Sequence, residues 1–309
     1  MGELINTVDT TVTIGSVTLQ NPVLAASGTF GFGREMADWL DLSRLGGICS
    51  KGLTRLPRAG NPPPRVAETS CGMLNSVGLQ NPGLDHFIKE ELPFMRRQGC
   101  AVIANVAGQT QDDYVTMCRR LDDEPLDAIE LNLSCPNVHE GCMLIGSDAV
   151  QIERLLKKVR AVTSNPLWAK LTPNVTNVTT MAQAAAAGGA DAVVLINTLL
   201  GLAIDRRSRR PVLRNNTGGL SGPAIKPVAL RMVAEVSQAV DLPVIGVGGI
   251  MSGEDAIEFL IAGASAVEIG TASLIRPAAC LEILDEMVQI ARTEDMNTLS
   301  AYSGTLRYW

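Results

Sequence analysis

The stretch ELNLSCPN (130–137) begins as an apolar strand and ends in asparagine, serine, cysteine and proline. Cys135 could act as a base once nearby cations favour its thiolate, because a free thiol ionises with a pKa of about 8.5. Other apolar runs also carry polar residues near their ends: Asn105 in VIANVAG, Lys170 in LWAKLTP, Asn197 in VLINT and Lys51 in ICSK. Asparagine and lysine are poor strand formers, and a buried amide or ammonium without a partner is costly. A single one is usually a cap, a turn residue or a snorkelling lysine, and a single buried cysteine is usually an inert hydrophobe. Asn105, Asn132 and Asn197 together with Lys51 and Lys170 form a set that packing alone does not require. Amides donate and accept, so they suit a heterocycle with alternating C=O and N–H groups. Lysines suit a carboxylate, a phosphate or a flavin ring that becomes anionic on reduction.

These residues need a scaffold that brings strand ends together. Short Val- and Ile-rich runs recur at 21–27, 46–52, 101–108, 128–134, 166–172, 192–198, 243–249 and 266–272. Most are separated by helical patterns such as Gln151–Val162, Pro223–Ala239 and Gly253–Ala262. Strand–helix alternation implies parallel strands with right-handed crossovers, and this many units favour a closed (β/α)8 barrel, read as one domain over 1–309. The carboxyl ends of barrel strands converge on one face. In 128–134, period two puts Ile129, Leu131 and Leu133 toward the helices and Glu130, Asn132 and Ser134 toward the interior. The opening TVTIGSVTLQNP reads as a hairpin about Gly15 that caps something. Two connections, Leu53–Gly83 and Leu199–Leu220, are too long for plain loops and are expected to build the site. The turns GVGG (246–249) and GTA (270–272) follow the last two strands, where barrels often bind a phosphate through backbone N–H groups. GTFGFG (28–33) has the order GxxGxG, which is not a dinucleotide fingerprint.

Composition narrows the partners. The net charge of the 309 residues is −6, which gives no support for nucleic acid or an anionic membrane. No run approaches a membrane span, and MGELINTVDT lacks the pattern of a signal peptide. Seven cysteines without a CxxC suggest free thiols in a reducing cytoplasm. No spacing resembles a zinc or iron–sulfur site, so no metal is expected. His139, four residues after Cys135, reads as a surface-loop residue rather than a catalytic partner.

The stretches NPVLAASGTFGFG, NPPPRVAETSCGMLNSVGLQNPG, IANVAG, ELNLSCPNV, KLTPNVT, INT, GGLSGPAIKPVAL, GVGGI and GASAVEIGTA resemble dihydroorotate dehydrogenases in order and spacing, across roughly residues 21–272. FGFG, GLQNPG and GGLSGPAIKP look most like the catalytic subunit of the class 1B, NAD-linked enzymes. The resemblance implies a barrel that holds FMN and oxidises dihydroorotate to orotate in pyrimidine synthesis. By motif, Cys135 would take the C5 proton while a hydride leaves C6 for flavin N5. Lys51 would contact flavin and substrate. Asn75, Ser76, Val77, Gly78 and Leu79 would wrap the orotate ring, with Asn132, Asn197 and Thr198 completing its hydrogen bonds. Ser27, Gly52, Asn105, Asn132, Lys170, Ile196 and Gly222 would line the flavin, and Gly248, Gly249, Gly270 and Thr271 would hold its phosphate. The class further implies a homodimeric core in a heterotetramer with a second subunit carrying FAD and a 2Fe–2S cluster.

Other readings stay open at the level of sequence. Class 1A enzymes, which pass electrons to fumarate, also use cysteine. The membrane-bound class uses serine as base and has an N-terminal hydrophobic extension, unlike this chain. Outside the family, a barrel lyase or isomerase could use Lys170 as a Schiff base, or a non-catalytic barrel could bind a pyrimidine. An oxidoreductase for another dihydropyrimidine would recognise a similar ring.

Overall fold

A computed structural model describes residues 8–134 and 145–309. Cys135 and His139 therefore lie outside the described residues. Eight parallel strands close into a barrel. They are β1 (Val23–Ala25), β2 (Gly47–Cys49), β3 (Ala101–Val106) and β4 (Ala128–Asn132), then β5 (Leu167–Lys170), β6 (Ala192–Leu195), β7 (Val244–Val247) and β8 (Ala264–Ile269). Each pairs with the next, and β8 closes on β1 through Val267↔Val23, Glu268↔Leu24 and Ile269↔Ala25. Strands buried on both faces explain the near-continuous apolar runs in the sequence.

The side chains divide as period two requires. Ile129, Leu131 and Leu133 pack in the shell shared with the helices, whereas Glu130 meets Cys49, Asn105 and Lys170 inside the barrel. In β5, Leu167 and Ala169 face the shell, and Trp168 and Lys170 face in. Helices Gln111–Leu121, Ala149–Arg160, Val178–Ala187 and Gly253–Ile261 start where Thr110, Asp148, Asn177 and Ser252 accept backbone N–H bonds. Each such cap stabilises its helix by about 1 kcal/mol. The first crossover departs from the alternation: between β1 and β2 the regular helical structure is the short 3-10 turn Leu42–Arg44.

The hairpin forms as expected, with Val12–Ile14 antiparallel to Val17–Leu19. Val12, Ile14, Val17 and Leu19 pack with Leu24, Ile103, Trp168, Val194 and Ile245 in a second apolar cluster. A Cβ on Gly15 would lie 3.4 Å from the Asp191 carbonyl, just before β6 begins. The hairpin thus plugs the barrel at the strands' starting end, opposite the polar strand ends.

The two long connections come together over that other end. Leu199–Gly201, Gly218–Ser221, Gly72–Asn75 and Val66–Thr69 form a four-stranded antiparallel sheet in that order. Its central pairing joins one connection to the other through Gly219↔Asn75, Leu220↔Leu74 and Ser221↔Met73.

Candidate active site

The barrel mouth and this sheet enclose a cavity of about 960 Å³. Among the described residues, every expected site residue lines it. Lys51 and Gly52 come from the turn after β2, Asn105 from β3, Asn132 and Lys170 from the ends of β4 and β5, and Ser27 from the turn after β1. Ile196, Asn197 and Thr198 follow β6. Gly248 and Gly249 follow β7, and Gly270 and Thr271 follow β8. Asn75, Ser76, Val77, Gly78 and Leu79 arrive from the first long connection, and Gly222 lies just past the second.

Hydrogen bonds fix this wall. Asn197 Nδ2 donates to Asn132 Oδ1 at 3.2 Å, and the Ser134 amide donates to the same oxygen at 3.2 Å. The Thr198 amide donates to Asn197 Oδ1 at 2.8 Å. Tyr114 Oη donates to the Asn132 carbonyl at 2.6 Å, which ties the strand end to the helix Gln111–Leu121. Asn61 Nδ2 donates to the Ser76 carbonyl (2.9 Å) and Oγ (3.0 Å), which steadies the loop that carries Ser76. Gly248 and Gly249 both have positive φ, 126° and 79°, so glycine makes a tight turn there with its backbone open to the cavity. A Cβ on Gly249 would come within 2.8 Å of the Lys226 backbone nitrogen.

Beneath the cavity lies a layer of buried polar groups. Lys170 Nζ donates to Glu268 Oε2 (2.7 Å), Glu130 Oε1 (3.3 Å) and Ser27 Oγ (3.4 Å). Asn105 Nδ2 donates to Glu130 Oε1 (2.5 Å) and Ser27 Oγ (3.3 Å), and the Cys49 thiol donates to Glu130 Oε1 (3.2 Å). Burial works against the Lys170 ammonium, but Glu130 and Glu268 outweigh it and raise its pKa. Burial pushes the Glu130 carboxyl up, yet Lys170 and the converging donors hold it below its ordinary value. Glu268 is pushed well above the carboxylate range by burial and by the Glu130 charge. Burial, then Glu130 and Glu268, keep the Cys49 thiol protonated. The floor therefore carries a fixed ammonium and no free thiolate.

The family model for dihydroorotate dehydrogenase matches residues 10–290. The chain belongs to the dihydroorotate dehydrogenase family. Its similarity extends to proteins named dihydroorotate dehydrogenase B (NAD(+)), catalytic subunit. That of Alkaliphilus metalliredigens is 51% identical over 96% of this chain and 98% of its own length. That of Thermoanaerobacter pseudethanolicus is 51% identical with the same coverage, and that of Geobacter sp. (strain M21) is 50% identical over 96% and 98%. Membership in the dihydroorotate dehydrogenase family removes the Schiff-base lyase reading, and the geometry agrees: such a lysine must be a neutral amine, whereas the contacts with Glu130 and Glu268 hold Lys170 as a cation.

Sequence reasoning missed several wall and floor residues. Glu268 interrupts the apolar run AVEIGTA with a charge on a buried strand, the same signal that exposed Lys170. Asn174 also lines the cavity. Its Nδ2 donates to the Thr198 carbonyl (3.0 Å), and its Oδ1 accepts from the Leu200 amide (2.9 Å). The motif KLTPNVT held it in plain view, but Asn after Pro is also an ordinary turn signal.

Proposed function

We propose that this chain is the catalytic subunit of an NAD-linked dihydroorotate dehydrogenase that binds FMN and oxidises dihydroorotate to orotate in de novo pyrimidine synthesis. The observation that carries this reading is the convergence of the expected residues, from eight strand ends, the first long connection and the turn just past the second, on one cavity. The cavity suits the cofactor. Asn105 Oδ1 is buried with no hydrogen-bond donor, so it is ready to accept from a ring N–H. Lys170 offers a cation, and the Gly248–Gly249 turn offers backbone with no side chain of its own.

In this reading Ser27, Gly52, Asn105, Lys170, Ile196 and Gly222 line the FMN ring and chain, and Gly248, Gly249, Gly270 and Thr271 hold its phosphate. When bound, FMN supplies the acceptor, at N5, for a hydride from the substrate. Lys51 and Asn132 touch both FMN and substrate. Asn75 to Leu79, Asn197 and Thr198 hold the dihydroorotate ring, with amide donors and acceptors matched to its carbonyl and N–H groups. Cys135 takes the C5 proton. Loss of that proton and of the C6 hydride leaves a C5=C6 double bond and gives orotate. Ser134, its neighbour in sequence, lines the same cavity.

The NAD-linked relatives are named catalytic subunits, which supports a second subunit here. That subunit carries FAD and a 2Fe–2S cluster and joins a homodimeric core in the cytoplasm. No helix among the described residues is long and apolar enough to cross a membrane. Denaturing the purified holoprotein tests the cofactor: one FMN released per chain supports the reading. FAD, or no flavin after incubation with FMN, contradicts it.

A further inference from the structure

Two fully buried carboxyl groups, Glu130 and Glu268, sit on either side of a single ammonium under the cavity floor. They lie, with the Cys49 sulfur, within 4.8 Å of one another. The donors are unevenly shared. Glu130 Oε1 accepts from Lys170, Asn105 and Cys49, whereas Glu268 accepts only from Lys170, on Oε2, among the bonds of the described residues. Glu130 Oε2 and Glu268 Oε1 have no donor, one on each carboxyl of the pair. Two buried acceptors without donors are costly, and one proton makes them a donor and an acceptor. Two like charges this close do not both ionise readily.

We propose that Glu130 and Glu268 share one proton, resident on Glu268, so that Glu268 is a neutral positioning residue that grips Lys170 without cancelling its charge. With both carboxylates ionised, Lys170 would be over-compensated and the floor would carry a net negative charge. One shared proton leaves the floor neutral, with the Lys170 ammonium reaching toward the cavity. A negative floor would oppose the charge that builds up on a reduced flavin, so the proton matters for the electron acceptor. The same ammonium bonds both carboxyls of the Cys49, Glu130 and Glu268 cluster, which disfavours a metal ion there.

This inference rests on the flavin reading of the cavity for its consequence, but not for the proton itself. The test is made on the holoprotein at pH 8 with Glu268→Gln, Glu130→Gln and the double variant. Infrared spectra should show a protonated-carboxyl band in the wild type that each single variant lacks. Absence of the band in the wild type, or its persistence in Glu268→Gln, overturns the proposal whether or not flavin is bound. The second readout is the two-electron midpoint of the bound flavin. In either single variant the shared proton is lost with one carboxyl, the remaining carboxylate balances Lys170, and the net charge of the floor is unchanged. The equilibrium should then stay within about threefold of wild type. The double variant leaves Lys170 unbalanced and should shift the equilibrium toward reduced flavin at least about tenfold, about 30 mV for a two-electron couple. A tenfold shift in each single variant means both carboxylates were ionised and overturns the proposal. A double variant that leaves the equilibrium unmoved overturns the link to the cavity. A chain that binds no flavin removes the functional reading alone, and the infrared band still decides the proton.

Discussion

At the scale of single residues, the floor and the base make separate predictions. Cys135→Ala should keep FMN and orotate binding but slow flavin reduction by dihydroorotate about 10²–10⁴-fold, the usual scale for a lost general base. Stopped-flow absorbance measures this, and near wild-type reduction would remove Cys135 from the mechanism. Glu268 makes a prediction about stability and pH. Its folded-state pKa is raised by burial and by Glu130, whereas an unfolded glutamate ionises near about 4.3. The folded chain keeps a proton that the unfolded chain gives up. The stability from this group is fully present below about 4.3 and is lost as pH rises toward the folded value, by about 1.4 kcal/mol per pH unit. Glutamine has no such proton. The Tm of Glu268→Gln minus that of the wild type should therefore climb with pH above about 4.3. A flat difference from about pH 4.5 to about pH 7, all of it above the unfolded value, would contradict a raised pKa.

At the scale of elements, the site depends on a sheet built from two loops. Gly219 lies where a Cβ would come 2.1 Å from Thr198 Oγ1. Gly219→Ala should push Gly218–Ser221 away from the turn after β6, at about 1–3 kcal/mol, a typical overpacking cost. We expect KM for dihydroorotate to rise at least about tenfold, roughly the factor that 1.4 kcal/mol represents, with FMN content unchanged. Unchanged KM would mean that Thr198 does not set the substrate wall. Much of the barrel was legible beforehand. Alternation gave the strands, and Glu130 and Ile129 fell on the faces that period two assigns. The polar strand ends then pointed to one mouth. The loop sheet was not legible, because the pairing of Gly219 with Asn75 joins residues far apart in sequence and its strands are short and glycine-rich. The carboxyl pair was half legible: Glu130 was read as facing inward, but nothing local tells that Glu268 would meet it across the barrel.

At the scale of the whole molecule, the barrel is closed at one end by apolar packing and open at the other for chemistry. Ile14, fully buried in the plug, should cost about 2–5 kcal/mol when replaced by alanine, seen as a lower denaturation midpoint. A change under about 0.5 kcal/mol, the range of ordinary surface substitutions, would mean that the hairpin is not part of the cooperative core. Electron flow beyond the cavity should need a second subunit, so the purified chain alone should reduce NAD poorly even when dihydroorotate reduces its flavin. The most direct test is the absorption spectrum of the purified, FMN-loaded chain during anaerobic addition of dihydroorotate. The flavin bands should bleach in proportion to the dihydroorotate added, with orotate formed in equal amount. Bands that persist in excess dihydroorotate would contradict the assignment of substrate to this cavity.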